Sequence, residues 1–139
     1  MPGAFGGDPV RLLLVEDHPM VSIALRAAFE LVEDIDLVGT AGTVAATLAT
    51  ASELRPQVIL LDRRLPDGDG IDAIPRLRGV CPESRVLVFT GYATRAMADR
   101  VMAVGGAGLV LKDGMFEDLA AVIRRVAAGQ DCFDTTLGH

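Results

Sequence analysis

Five short apolar runs recur at similar intervals along the chain, at 11–15, 35–40, 58–61, 85–90 and 108–111. Each is bounded by polar or turn residues and rich in Val, Leu and Ile, as buried strands are. Between them lie segments with helical spacing. Val21, Ala24, Leu25, Ala28 and Phe29 share one face, as do Val44, Leu48 and Ala51, and later Leu119, Val122, Ile123 and Val126. A third helix, about 71–80, contains Pro75 and is expected to start late or bend there. Thr94 suits the N-cap of the fourth helix, and Gly105-Gly106 and Gly129 suit the ends of the fourth and fifth. Strands alternating with helices give an α/β fold, (βα) repeated five times, with a mainly parallel sheet and helices on both faces.

The chain has 139 residues, enough for one domain. A chain of that size buries about two-thirds of its unfolded surface, so it needs neither disulfide nor structural metal to fold. With no Trp and few aromatics, the core must be aliphatic. The formal net charge of −6 argues against direct nucleic-acid binding by this chain, which takes clustered Lys and Arg. Cys81 and Cys132 form no metal or disulfide pattern, which points to a reduced, cytoplasmic setting. No apolar run is long enough to cross a membrane. Residues 1–9 read as a disordered leader, 10–129 as the folded domain, and 130–139 as a tail or the start of a linker, with Cys132 in it. The tail is too short to be a second domain.

In open α/β sheets, ligands bind beyond the carboxyl ends of the strands. The first run is followed by Glu16 and Asp17, the third by Asp62; the fourth ends in Thr90, and Lys112 follows the fifth. Any one of these is an ordinary turn or cap residue. Together they put three carboxylates, a hydroxyl and an ammonium on one edge. Three acids repel one another unless positive charge sits among them, and a hard divalent cation with oxygen ligands, together with Lys112, would balance them. A carboxylate can act as a nucleophile and form an acyl phosphate. A phosphoryl group arriving there needs its charge neutralised and its oxygens held. Mg²⁺ (or Mn²⁺) on Asp17 and Asp62, Lys112 and the Thr90 hydroxyl would do so. His18 reads as a loop residue, since no second His or Cys accompanies it.

Four segments carry a family resemblance that spans about 10–129. They are Leu-Leu-Leu-Val-Glu16-Asp17-His-Pro, Val-Ile-Leu-Leu-Asp62-Arg-Arg-Leu-Pro66-Asp-Gly-Asp-Gly70, Val-Leu-Val-Phe-Thr90-Gly and Gly105-Gly-Ala-Gly-Leu-Val-Leu-Lys112-Asp. Their order and spacing resemble the response-regulator receiver (CheY-like) family. The resemblance implies a doubly wound, flavodoxin-like sheet of order 2-1-3-4-5. It makes Asp62 the phospho-acceptor, supplied by a phosphohistidine on a sensor histidine kinase. It places Mg²⁺ on Asp17, Asp62 and the backbone carbonyl of Arg64, with Glu16 acting mainly through water. It also implies that the domain catalyses only its own phosphorylation and a slow autodephosphorylation. His18-Pro19, Lys112-Asp113 and the ending Ile-Arg-Arg-Val-Ala-Ala-Gly129 resemble the LuxR-type (NarL/FixJ) subfamily. Members of that subfamily usually carry a DNA-binding domain after the receiver, so the expected output is transcription, through a domain absent from this sequence. Both a stand-alone and an excised receiver fit.

The chain departs from the family pattern in three places. Leu109 stands where the family often has Tyr or Phe, so a signal must leave through Thr90, the loop after it and the fourth helix. Asp113 replaces the Pro that often follows the lysine. Arg64 and Tyr92, bulky residues two places after Asp62 and Thr90, tune access of the hydrolytic water and predict slow dephosphorylation. Self-association is expected on the face of the fourth helix, fifth strand and fifth helix, through Met97, Val101 and Leu109. The alternatives are a phosphorylation-independent docking module and an aspartate-nucleophile phosphohydrolase. A flavin-binding module is disfavoured because Glu16-Asp17 would repel a phosphate.

Overall fold

A computed structural model of the chain describes residues 8–133. All but the last two of the residues assigned to the leader, and all but 130–133 of the tail, lie outside these. The apolar runs form β1 (Val10–Val15), β2 (Ile35–Ala41), β3 (Val58–Asp62), β6 (Arg85–Thr90) and β7 (Gly108–Leu111). Two short strands, β4 (Arg64–Leu65) and β5 (Gly68–Asp69), make an antiparallel hairpin after β3. Another, β8 (Cys132–Phe133), follows the last helix. The main sheet has the order β2-β1-β3-β6-β7-β8. Every pairing in it is parallel. The five expected strands thus take the expected order, and β8 adds a sixth at the edge.

The helices are α1 (Pro19–Glu30), α2 (Val44–Leu54), α3 (Gly70–Val80), α4 (Arg95–Ala103) and α5 (Phe116–Ala127). Alternate residues of each strand face opposite layers, so the central strands read as continuous apolar runs. Leu12, Leu14, Leu60, Leu87 and Phe89 pack with Phe29 of α1 and with Leu119, Ile123 and Val126 of α5. Leu13, Val15, Ile59, Leu61 and Val88 pack with α2, α3 and α4 on the other face.

Helix α3 starts at Gly70, not late: Asp69 caps it by accepting the Ile71 N–H at 2.8 Å, and the helix continues through Pro75. The cap offsets part of the cost of the hydrogen bond that Pro75 cannot donate. Thr94 caps α4 through the Met97 N–H at 3.1 Å. Gly105 and Gly129 follow α4 and α5 at φ 92° and 98°, a backbone region where a side chain is strained.

Two expectations are corrected. Met97, Val101 and Leu109 are buried, 7%, 0% and 0% exposed, within the α2–α3–α4 layer. They offer nothing to a partner, because the inward helix face and β7 need them as core. Cys132 is not in a tail. It lies half-buried in β8, paired with Gly108. A Cβ on Gly108 would come within 2.6 Å of the Cys132 carbonyl oxygen, so the glycine is what lets the sixth strand close against the edge. Arg85 holds the approach to β8, donating to the Gln130 carbonyl at 3.1 Å and to Asp131 Oδ1 at 2.6 Å.

Candidate phosphorylation site

Strand order reverses between β1 and β3, where both neighbours of β1 diverge in sequence. At that switch point the β1 and β3 ends deliver Glu16 and Asp62, each only 5% exposed. Lys112, just beyond β7, brings them together. Its ammonium lies 2.8 Å from Glu16 Oε1 and 3.2 Å from Asp62 Oδ2, and 5.5 Å from the centre of the Phe89 ring. The backbone holds this arrangement: the Lys112 N–H donates to the Thr90 carbonyl at 2.7 Å, and the Glu16 N–H to that of Ala41 at 2.9 Å.

Burial first, and then the Glu16 carboxyl beside it, push the Asp62 carboxyl above the usual range, and Lys112 opposes both. Burial alone would lower the Lys112 ammonium, but Glu16 and Asp62 outweigh it and raise the net value. Lys112 is therefore held charged, and the Asp62 carboxylate is left short of positive partners.

Asp17 is exposed, next to Glu16. Oxygens of Glu16 and Asp17 and a ring nitrogen of His18 lie within 4.8 Å of one another, so His18, expected only as a loop residue, stands with the acids. The Lys112 contact with Glu16 Oε1 is an ion pair without hydrogen-bond alignment, and that buried oxygen has no aligned donor. The carboxylates of Glu16, Asp17 and Asp62 outnumber the one ammonium among them, and such a set of oxygen donors suits a hard divalent cation. The residues present fit Mg²⁺ or Mn²⁺.

Thr90 is buried at the end of β6, but its hydroxyl is occupied elsewhere. It donates to the Tyr92 carbonyl at 3.1 Å and accepts the Tyr92 N–H at 3.4 Å. Tyr92 itself is 70% exposed. Arg64 is also exposed, and its N–H lies 3.3 Å from Asp62 Oδ1. The hairpin that carries Arg64 is packed tightly. The Gly70 N–H donates to the Arg63 carbonyl at 2.6 Å, and a Cβ on Gly70 would sit 2.3 Å from the Asp62 carbonyl oxygen.

Sequence reasoning missed Asp67. From the hairpin tip its carboxylate accepts the N–H groups of Val44 and Ala45, at 2.7 and 3.1 Å. Its partners lie 23 and 22 residues upstream, so no local pattern marks it. The only hint is an acidic residue in a Pro-Asp-Gly turn.

Comparison with known proteins agrees with this geometry. The family model described as response regulator receiver domain matches residues 12–124. The transcriptional regulatory protein MctR of Rhizobium johnstonii is 33% identical over 91% of this chain and 59% of its own length. The DNA-binding transcriptional activator DevR/DosR of Mycobacterium tuberculosis is 38% identical over 90% of this chain and 58% of its own. The chain thus spans about three-fifths of these relatives. Among solved structures, a LuxR-family two-component response regulator from Aurantimonas superposes with TM-score 0.85 at 27% identity, covering 90% of this chain and 89% of that one. The signal receiver domain of the response regulator NarL from M. tuberculosis gives 0.84 at 28%, covering 89% of this chain and all of that one. A strand-end set of acid, acid and lysine on a 2-1-3-4-5 sheet thus coincides with sequence and structural kinship, and this chain belongs to the response regulator receiver domain family, among relatives of the NarL/LuxR type.

Proposed function

We infer that Asp62 accepts a phosphoryl group and that this switches the domain. The carrying observation is the Lys112 ammonium poised between two buried carboxylates, one of them Asp62. An Asp62 carboxylate oxygen attacks the phosphorus of a phosphohistidine on a sensor kinase. The P–N bond breaks, the imidazole leaves with the electron pair and takes up a proton, and an acyl phosphate remains. Lys112 is close enough to Asp62 to pair with the incoming phosphoryl oxygens. Glu16, Asp17, Asp62 and the Arg64 carbonyl would hold Mg²⁺ or Mn²⁺. When bound, the cation supplies neutralisation of phosphoryl charge.

Three exposed apolar side chains stand at this edge: Met20 in the first turn of α1, Tyr92 after β6 and Met115 just before α5. They suit docking of a protein phosphodonor. For the Thr90 hydroxyl to donate to the phosphoryl group it must release the Tyr92 carbonyl, which would draw the Gly91–Thr94 loop with it. Such charge-assisted bonds contribute about 1.5–3 kcal/mol each, and two or three would supply the ~5.5 kcal/mol that inverts a 1:99 equilibrium. A homodimer through α4, β7 and α5 would use other side chains than Met97, Val101 and Leu109. Met102 is the exposed large apolar residue of α4. Transcription control, as in the relatives, would come through a further domain. Arg64 and Tyr92, two places after Asp62 and Thr90, favour a long-lived phosphoryl group, and a half-life of seconds would refute that.

Incubation with Mg²⁺ and a small phosphodonor, followed by intact mass, tests the assignment. A stoichiometric adduct that disappears in Asp62→Asn is expected. No adduct, with cognate kinase also tried, would leave a docking module instead.

A further inference from the structure

The hairpin after Asp62 is tied down at both ends. At its root, Gly70 and Arg63 are joined backbone to backbone, and Arg63 Nε lies 3.5 Å from Asp69 Oδ2. In its middle, Leu65 is buried in the layer that contains Val44. At its tip, Asp67 holds the first two N–H groups of α2, Val44 at 2.7 Å and Ala45 at 3.1 Å. The third, on Ala46, goes to Thr43 Oγ1 at 3.0 Å. Three donors that a helix start leaves unpaired are thus shared between a local cap and a residue from a distant loop. The two N–H groups hold the Asp67 carboxyl below the usual range, Val44 first and Ala45 second. A carboxylate is also favoured at the positive end of the helix.

We propose that Asp67 is a positioning residue of the phosphorylation site, a carboxylate clamp that ties the hairpin tip to α2 and so fixes the Arg64 backbone relative to Asp62. The inference rests on the reading of Asp62, Arg64 and a divalent cation given above. Arg64 pairs across the hairpin with Asp69, and Leu65 with Gly68. Pro66 and Asp67 are therefore the turn, and Arg64 sits two residues from Asp62 at one end and three from the clamp at the other. Releasing the tip leaves Arg64 held only by the root and by Leu65, and its carbonyl and N–H then shift more freely relative to Asp62. Thr43 lacks this leverage, because it caps the same helix from its own chain neighbourhood.

That contrast supplies the test. Asp67→Ala and Thr43→Ala each remove acceptors from the start of α2, and both should lower the thermal midpoint by a few degrees. Mn²⁺ affinity, read by electron paramagnetic resonance of the free ion, separates them. Asp67→Ala should weaken binding about tenfold, the low end of what losing an outer-shell support costs a metal site. Asp67→Asn, which keeps one acceptor oxygen, should fall between it and the wild type. Thr43→Ala should stay within about twofold of the wild type by the same reasoning. Equal Mn²⁺ affinity in Asp67→Ala and Thr43→Ala would make Asp67 a helix cap and nothing more, and would overturn the proposal. A wild-type protein that binds no Mn²⁺ and forms no adduct on Asp62 would overturn it differently, by removing the metal-dependent reading beneath it.

Discussion

The connections that leave β3 and β6 start side by side at the same sheet edge, yet they are held in opposite ways. After Asp62 the chain folds into a hairpin fixed at its root by the Gly70–Arg63 bond, in its middle by buried Leu65 and at its tip by Asp67. After Thr90 the chain is held by one hydroxyl, through contacts of 3.1 and 3.4 Å to the Tyr92 backbone, and by the small buried side chain of Ala93, before Thr94 caps α4. The first connection carries groups assigned to hold the reacting carboxylate and its cation, whose misplacement is costly. The second carries the hydroxyl that changes partner under the proposed function, and a segment that moves has to come from the weakly held part of a fold.

Alanine at Gly70, where the hairpin joins α3, and at Gly91, in the loop after β6, gives the sharpest test of this difference. In Gly70→Ala the new Cβ meets the Asp62 carbonyl, a backbone atom that cannot step aside. Urea unfolding should show a loss of about 3 kcal/mol. A Cβ on Gly91 would meet nothing within 4 Å, so Gly91→Ala should stay within about 0.5 kcal/mol of the wild type. Comparable losses would mean that the two loops are equally constrained.

The next largest effect belongs to the charge that joins the edge together. Lys112→Ala strands Glu16 and Asp62 in the interior. The loss should be about 2 kcal/mol in metal-free buffer, less than for a fully buried pair because the lysine side chain is a quarter exposed. Added Mg²⁺ should recover part of it, and no recovery would count against a cation at these carboxylates.

A smaller effect of opposite sign is expected for Asp62→Asn, which should stabilise the metal-free domain. Asp62 is raised by burial and by Glu16, so the folded state binds its proton more tightly than the unfolded state does. That contribution is fully present below the unfolded carboxylate range and is lost as pH rises through the raised folded value. The advantage of Asp62→Asn should therefore grow with pH and vanish in acid. An advantage that is flat with pH would mean that packing, not charge, explains it. Smallest among the losses, Thr90→Ala should cost about 0.5 kcal/mol, because its hydroxyl contacts are long and neutral. A loss above that of Lys112→Ala would show that the β6 connection is not the loose one.

Much of this fold could be read directly from residue order. The five main strands fall within a residue of the apolar runs at 11–15, 35–40, 58–61, 85–90 and 108–111, because strands covered on both faces must be apolar throughout. The edge residues Glu16, Asp17, Asp62, Thr90 and Lys112 were legible for the same reason: each interrupts or follows such a run. The short strands were not. The turn residues of 66–68 hide a hairpin, and two residues of β8 are too few to show a period. Met97, Val101 and Leu109 read equally well as surface or core, because the apolar side of a helix or strand does not say what covers it.

The sequence by itself determined the strand-and-helix alternation and which side chains stand at the strand ends, since both follow from local pattern and chain order. Only the tertiary structure decided which of those side chains meet. Lys112 between Glu16 and Asp62, Thr90 turned to Tyr92, and Asp67 on the start of α2 are contacts that the loops and the sheet register create. Their geometry depends on backbone positions far apart in the chain, which no local pattern of residues encodes.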